Sequence, residues 1–261
     1  MSQKNREGKQ SARERMRIER ERQERRSKRV RQFSVFGAVL LVLAVAVVVL
    51  VVVNGQKSKP LAIPAGATGT GKLALPVGAD AGATSSDGKK VPTLTVYEDF
   101  RCPACGMYEK NNHAAVDKLV AEKKVRVEYH IVSLIDQNSN GKGSGRSANA
   151  AACAYTTAGR DTFMKYHDVL YTNQPNEEDD AYAQNSKLLS LAKQVPGLTT
   201  AKFTSCVNNG TYDTWAKKVM DDFNAKKIQG TPTILIDGKQ VQNPTGLTPA
   251  TLEKAVEAAS K

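Results

Sequence analysis

"FRCPACGMYEK", residues 100–110, sets Cys102 and Cys105 three apart with Pro103 and Ala104 between them. The stretch just before it, "VPTLTVYE" (91–98), is β-rich and follows a Gly-containing turn, so it reads as a strand. From Pro103 to about Glu122 the pattern turns helical, with Met107, Ala114, Val116, Leu119 and Val120 giving a partial apolar face. Cys102 thus stands where a strand hands over to a helix, and proline fits the first helical position, where its missing N–H costs nothing. The free N–H groups of that turn and the positive end of the helix dipole face the Cys102 sulfur and favour its thiolate. Thiolate is the form that attacks disulfides and the form that leaves easily. The dipole contributes up to about 2 kcal/mol, or about 1.5 pKa units, so direct hydrogen bonds set the rest. Arg101 would add to the effect if it folded toward the sulfur, whereas Glu98 and Asp99 would oppose it.

Three readings of the pair compete: a redox centre, an inert structural bridge, and half of a zinc site. Zinc would need a second pair of ligands at close spacing, and neither Cys153 nor Cys206 belongs to a CxxC. His113, His130 and His167 are scattered over a helix, a strand and another helix without metal-ligand spacing. They read as structural, and no metal site is assigned. Cys153 and Cys206 fall in two different helical segments. A structural bridge between them would be worth roughly 4 kcal/mol in the chain-entropy model; free buried thiols or a second redox pair are the alternatives.

Compartment follows from the amino-terminal part of the chain. Of the net charge of +12, +8 sits in residues 1–32, which hold 13 Lys/Arg and 5 Glu, leaving a mild +4 for the other 229 residues. That arm interleaves Glu and carries no aromatic to stack a base, so nucleic acid is not its partner. Phe33–Val53 follows, 21 residues without one charge and long enough to cross a hydrocarbon core as a helix. The Arg-rich flank before it keeps the amino end in the cytoplasm, and no small-x-small cleavage site follows. The arm then needs only anionic lipid headgroups. Everything from about Asn54 onward lies outside the membrane, where cysteines are oxidised or redox-cycling rather than metal-bound.

Residues 54–90 are rich in Gly, Ala, Ser and Pro and read as a linker, with "KLALPVG" a candidate first strand at the domain entrance. From 91 to 261 the chain reads as one domain. After the first strand and helix comes "VRVEYHIV" (125–132), another strand. A helical block at about 135–227 follows, in which Trp215, Val219, Met220 and Phe223 share a face. "TPTILID", the Asp237–Gly238 turn and "KQVQ" then form a hairpin, and a last helix opens near Thr248. This order implies an α/β fold, a mixed sheet with helices on both faces, interrupted by an all-helical insertion.

"YEDFRCPAC" resembles the F-x-D-x-x-C-P-x-C signature of the DsbA-like thiol-disulfide oxidoreductases, which have a thioredoxin fold. "GTPTILIDGK", Gly230–Lys239, is similar to that family's cis-proline segment. The resemblance covers roughly residues 90–261, insertion included. It implies that Cys102 is the exposed nucleophile and Cys105 its buried partner. Pro232, in cis, would offer backbone groups to a client strand, with Thr231 tuning redox behaviour from the same spot, and Asp99 would match the acidic position. Pro103–Ala104 stands where the best-known members carry Pro-His, which removes one thiolate stabiliser. The resemblance further implies disulfide formation in exported proteins without a dissociable cofactor. Its partners would be clients with free thiols and a quinone-linked membrane reoxidase, DsbB-like or VKOR-like. A reductase or isomerase on the same fold is one alternative; a redox-inactive binding or chaperone module is another.

Overall fold

The computed structural model of the chain describes residues 42–47, 60–85 and 87–260. Residues 42–47 form a short exposed helical run. The remainder of the predicted span Phe33–Val53, and with it the expected transmembrane helix and the basic arm 1–32, lies outside the described residues. Among the described residues no helix is long and apolar enough to cross a membrane.

Five strands form one sheet: β1 (Leu75–Gly78), β2 (Thr93–Glu98), β3 (Arg126–Ile131), β4 (Thr233–Ile236) and β5 (Lys239–Gln240), in the order β1-β3-β2-β4-β5. Only β2 and β3 run parallel. A parallel pair needs a crossover, and helix α1 (Pro103–Ala121) supplies it. Between β3 and β4 come α2 (Leu134–Ser139), α3 (Gly143–Ala158), α4 (Arg160–Thr172), α5 (Asn185–Ala192), α6 (Ala201–Asn209) and α7 (Asp213–Ala225). Helix α8 (Pro249–Ala259) ends the domain, opened by a reciprocal cap in which Thr248 and Thr251 each accept the other's backbone N–H. The architecture is a thioredoxin-like α/β fold with a helical insertion.

Side chains alternate across a strand, so neighbouring positions sort the helices onto two faces. Tyr97 of β2 and His130 of β3 stack on one face and meet Phe223 of α7. Tyr129 points the other way, to Phe163 and His167 of α4. Glu98, one step along from Tyr97, also reaches His167 on that second face. The redox helix α1 lies on the α4 side, with α8 beside it.

Much of the segment expected to be a linker is part of this core. Ala67, Leu73, Ala74, Leu75, Val77 and Ala79 are all buried, and β1 pairs antiparallel with β3. Arg126 fastens the segment by donating to the Ala79 carbonyl (3.2 Å) and the Thr68 hydroxyl (3.0 Å). From the insertion, the Trp215 indole N–H donates to Lys72 O (2.9 Å) and the Tyr155 hydroxyl to Pro76 O (3.0 Å). A stretch of Gly, Ala and Pro has no periodic signal because small residues need partners to make a core. Here the partners sit some fifty to a hundred and forty positions downstream.

The insertion is closed by a Cys153–Cys206 disulfide between α3 and α6, with Cα atoms 5.8 Å apart. Cys153 is fully enclosed and Cys206 is 9% exposed. Replacing both cysteines with alanine is expected to lower unfolding stability by roughly 2–5 kcal/mol. Disulfide exchange by the folded protein should persist, since both sulfurs lie outside the Cys102–Cys105 turn. Denaturant unfolding together with a thiol-exchange assay checks both outcomes.

Candidate active site

Cys102 is the N-cap residue of α1, in extended conformation (φ −74°, ψ 118°), with Pro103 in the first helical turn. Its N–H donates to Asp99 O (3.0 Å) and its carbonyl accepts from Gly106 N–H (3.1 Å), which winds the chain from strand into helix within four residues. Cys105 comes one turn later and points inward. Cys102 keeps 7% of its surface and Cys105 none; both are free thiols. Across from them the Thr231–Pro232 peptide is cis, and the Cys102 thiol donates to Thr231 O at 3.4 Å. Four sequence-singled residues, Cys102, Cys105, Thr231 and Pro232, therefore meet at one place.

This arrangement drives the two sulfurs apart in acidity. The Cys105 thiol donates to Cys102 and, with further help from the Thr231 hydroxyl and the N–H groups of Cys105 and Ala104, lowers the Cys102 pKa from 9.0 to about 6 against the cost of burial. The Thr231 hydroxyl makes no hydrogen bond in the dithiol and is free to donate to a thiolate. Burial pushes Cys105 well above the ordinary thiol value, and its Cys102 neighbour pushes it further. One sulfur is thus ionised near neutral pH, while the other holds its proton.

Asp99 lies behind this turn and is wholly buried. Burial raises its carboxyl to about 7, opposed by hydrogen bonds from the N–H groups of Ile135 (2.9 Å) and Arg101 (2.8 Å). Its carboxyl group ties the Cys102 turn to α2. Arg101 does not fold toward the sulfur; its guanidinium turns away into the insertion. One of its terminal nitrogens lies 2.9 Å from Asp136 Oδ1 and 2.8 Å from Asp180 Oδ1, and the other donates to Glu177 O at 2.7 Å. The reason is the pair of carboxylates waiting there, Asp136 and Asp180.

Two residues that sequence reasoning missed complete the frame. The Gln174 amide donates to Phe100 O (3.0 Å) and Cys102 O (2.9 Å), latching the turn from the far side. Gly106 makes this approach possible, because a Cβ there would stand 2.2 Å from Gln174 Oε1. A glycine inside a helix costs about 1 kcal/mol against alanine, and that local penalty was the available signal. Gln174 gave none. His167, read as a structural histidine, sits between Glu98 and Glu109 on the same side of the sheet.

Residues 88–258 match the family model described as Thioredoxin. The chain belongs to the thioredoxin family, in its DsbA-like branch. The reduced disulfide bond oxidoreductase DsbG of Mycobacterium tuberculosis is 29% identical, with a TM-score of 0.60 over 71% of this chain and 86% of that one. Oxidised DsbA of the same organism is also 29% identical, with a TM-score of 0.59 over 71% of this chain and 92% of its own. Disulfide bond formation protein D of Bacillus subtilis is 27% identical over 158 residues, 60% of this chain and 68% of that protein. The serine/threonine-protein kinase PknE of M. tuberculosis is 29% identical over 163 residues. Those residues are 58% of this chain but 27% of the kinase, so this DsbA-like chain spans about a quarter of that relative's length.

Thiolate absorbance of the reduced protein should titrate near pH 6. Cys105→Ala removes the largest stabilising donor and should move the midpoint up, short of the free-cysteine value of about 8.5 because the backbone donors remain. Thr231→Val should move it up by less. A wild-type midpoint at 8.5 would contradict this account of the site.

Proposed function

We propose that this DsbA-like protein is an extracytoplasmic, single-pass membrane enzyme that introduces disulfides into exported proteins through Cys102 and Cys105. The observation that carries the reading is the geometry of the helix start: Cys102 at the N-cap of α1, against Thr231 O beside the cis Thr231–Pro232 peptide, with fully buried Cys105 behind it, an arrangement that lowers the Cys102 thiol to about 6 and raises Cys105. A client thiolate attacks the oxidised pair at Cys102, the only sulfur of the two with exposed surface. The Cys102–Cys105 bond breaks as the client–Cys102 bond forms, and Cys105 leaves with the electron pair and takes up a proton. A second client thiolate then attacks the client sulfur of the mixed disulfide and Cys102 leaves as thiolate. Two electrons pass from the client to the pair, and the client carries the new disulfide.

The same acidity gap supports the oxidising direction. A stabilised Cys102 thiolate lowers the free energy of the reduced pair and makes Cys102 the better leaving group, which favours oxidation of the client over its reduction. In this reading Pro232 and Thr231 hold the client strand beside the sulfur. Asp99 acts by positioning the turn. Residues 1–32 form a cytoplasmic basic arm on anionic lipid, 33–53 the membrane span, and the chain from about Ala67 onward, strand β1 included, the catalytic domain. A DsbB-like or VKOR-like quinone-linked membrane protein returns the pair to its oxidised state.

Cys105→Ala is expected to accumulate mixed disulfides with clients, because the intramolecular escape from the Cys102–client bond is gone. Cys102→Ala should accumulate few, since Cys105 is shielded. Both should lose turnover, and non-reducing electrophoresis with mass spectrometry reads the adducts. If neither protein traps a client, Cys102–Cys105 is a structural bridge and the oxidase reading fails. Topology has its own test: protease added outside intact spheroplasts should cut near residues 54–66 and release a soluble fragment with all four cysteines. A protected domain would reverse the placement.

A further inference from the structure

Glu98 at the end of β2, Glu109 in α1 and His167 in α4 come from three distant parts of the chain and meet in the interior, 0%, 4% and 2% exposed. One ligand atom from each lies within 4.8 Å of the others. His167 Nε2 and Glu98 Oε1 are in contact at 2.7 Å. That contact leaves Glu98 Oε2 and Glu109 Oε1 buried with no hydrogen-bond partner. The hydroxyls of Tyr108 and Tyr171 are also buried without partners. After the larger effect of burial, both phenols are raised further by the charges of Glu98 and Glu109. Each unsatisfied buried group costs about 1–3 kcal/mol, and folded interiors rarely gather several at one point.

We propose that Glu98, Glu109 and His167 form a binding site for one divalent transition-metal ion, zinc by ligand chemistry. Two carboxylates and an imidazole are ordinary zinc donors, and the imidazole argues against calcium or magnesium, which take oxygen ligands. Two carboxylates, a neutral imidazole and a doubly charged ion sum to zero, the balance a site closed to water requires. Zinc holds such donors at about 2.0–2.2 Å, and so about 3.3 Å from one another. The Glu98–His167 contact would open by only about 0.6 Å to admit it. A cleft of about 480 Å³ between α1 and α4 reaches Glu109, beside Tyr171, His113 and Asp168, while Glu98 and His167 lie behind it. An ion there would join sheet, redox helix and insertion, acting as a structural clamp apart from sulfur chemistry.

Protons are the rival occupant. Although burial opposes it, Glu98 holds His167 up at about 9, while burial pushes Glu109 to about 8. Exposed Asp117 on α1 and half-buried Asp168 on α4 add to the negative field, and His113 faces Asp168 at 3.8 Å. The two occupants differ in what added metal does.

The test uses the full-length protein with Cys102→Ser and Cys105→Ser, so that no free thiolate competes for the ion. Calorimetric titration with zinc chloride should give one saturable site per chain, a raised Tm, and reversal of that rise by EDTA. Glu109→Gln and His167→Gln should each weaken binding at least about tenfold with far-UV circular dichroism unchanged. Should either variant fail to fold, cobalt(II) binding to the parent decides: paramagnetically shifted imidazole resonances are expected in its proton NMR spectrum. No saturable binding, binding by both variants as tight as the parent's, or cobalt binding without an imidazole signature would each overturn the site and leave protons as its occupants. Exchange through the wild-type sulfurs is read separately, so failure here leaves the proposed oxidase function standing.

Discussion

The guanidinium of Arg101 joins the redox turn to the helical insertion through one buried charge. It stands one residue before Cys102, and its two carboxylate partners, Asp136 and Asp180, also receive the first N–H groups of α3. Helix α3 has no side-chain cap of its own at Lys142, so these carboxylates serve as its N-terminal anions. Gly143 leaves the room for them, since a Cβ there would stand 2.6 Å from Asp180 Oδ1 and 2.9 Å from Arg101 Cδ. Stranding a buried charge of this kind costs about 3–5 kcal/mol. The position of the cysteine turn and the start of the insertion are therefore fixed together.

Held this way, the turn leaves little freedom to the sulfurs. Asp99 ties it to α2, the Gln174 amide holds two of its carbonyls, and the cis Thr231–Pro232 peptide closes the open side. The donors around Cys102 are then fixed in advance and need no rearrangement when charge appears on the sulfur. Cys105, one helical turn deeper, is fully buried, and burial and its Cys102 neighbour together oppose its ionisation. Two chemically identical side chains acquire opposite tasks from a single turn of backbone.

The local part of this design was legible in the sequence. A strand, Cys-Pro-x-Cys and a helix are contiguous, and so is the Thr-Pro segment before β4, so periodicity and capping rules reach them. Strand β1 falls inside the candidate strand "KLALPVG", but Gln174 was missed and the partners of Arg101 and of the buried residues around β1 were not legible, because they lie far along the chain. Gln174 bonds to carbonyls 72 and 74 positions away, and Arg101 to carboxylates at 136 and 180. Glu98, Glu109 and His167 share no spacing at all. The unbroken buried run from Leu73 to Val77 likewise leaves no amphipathic trace for a sequence pattern to show.

The enclosure of the Cys153–Cys206 bridge bears on how the protein comes into being. With Cys153 sealed and Cys206 barely accessible, no external thiol or oxidant can reach those sulfurs once α3 and α6 have packed. The bond has to close during folding, while both helices are still loosely held. Once closed, the bridge is shielded from passing thiols, so it lasts as part of the insertion and stays out of the exchange that the exposed Cys102 sulfur can enter.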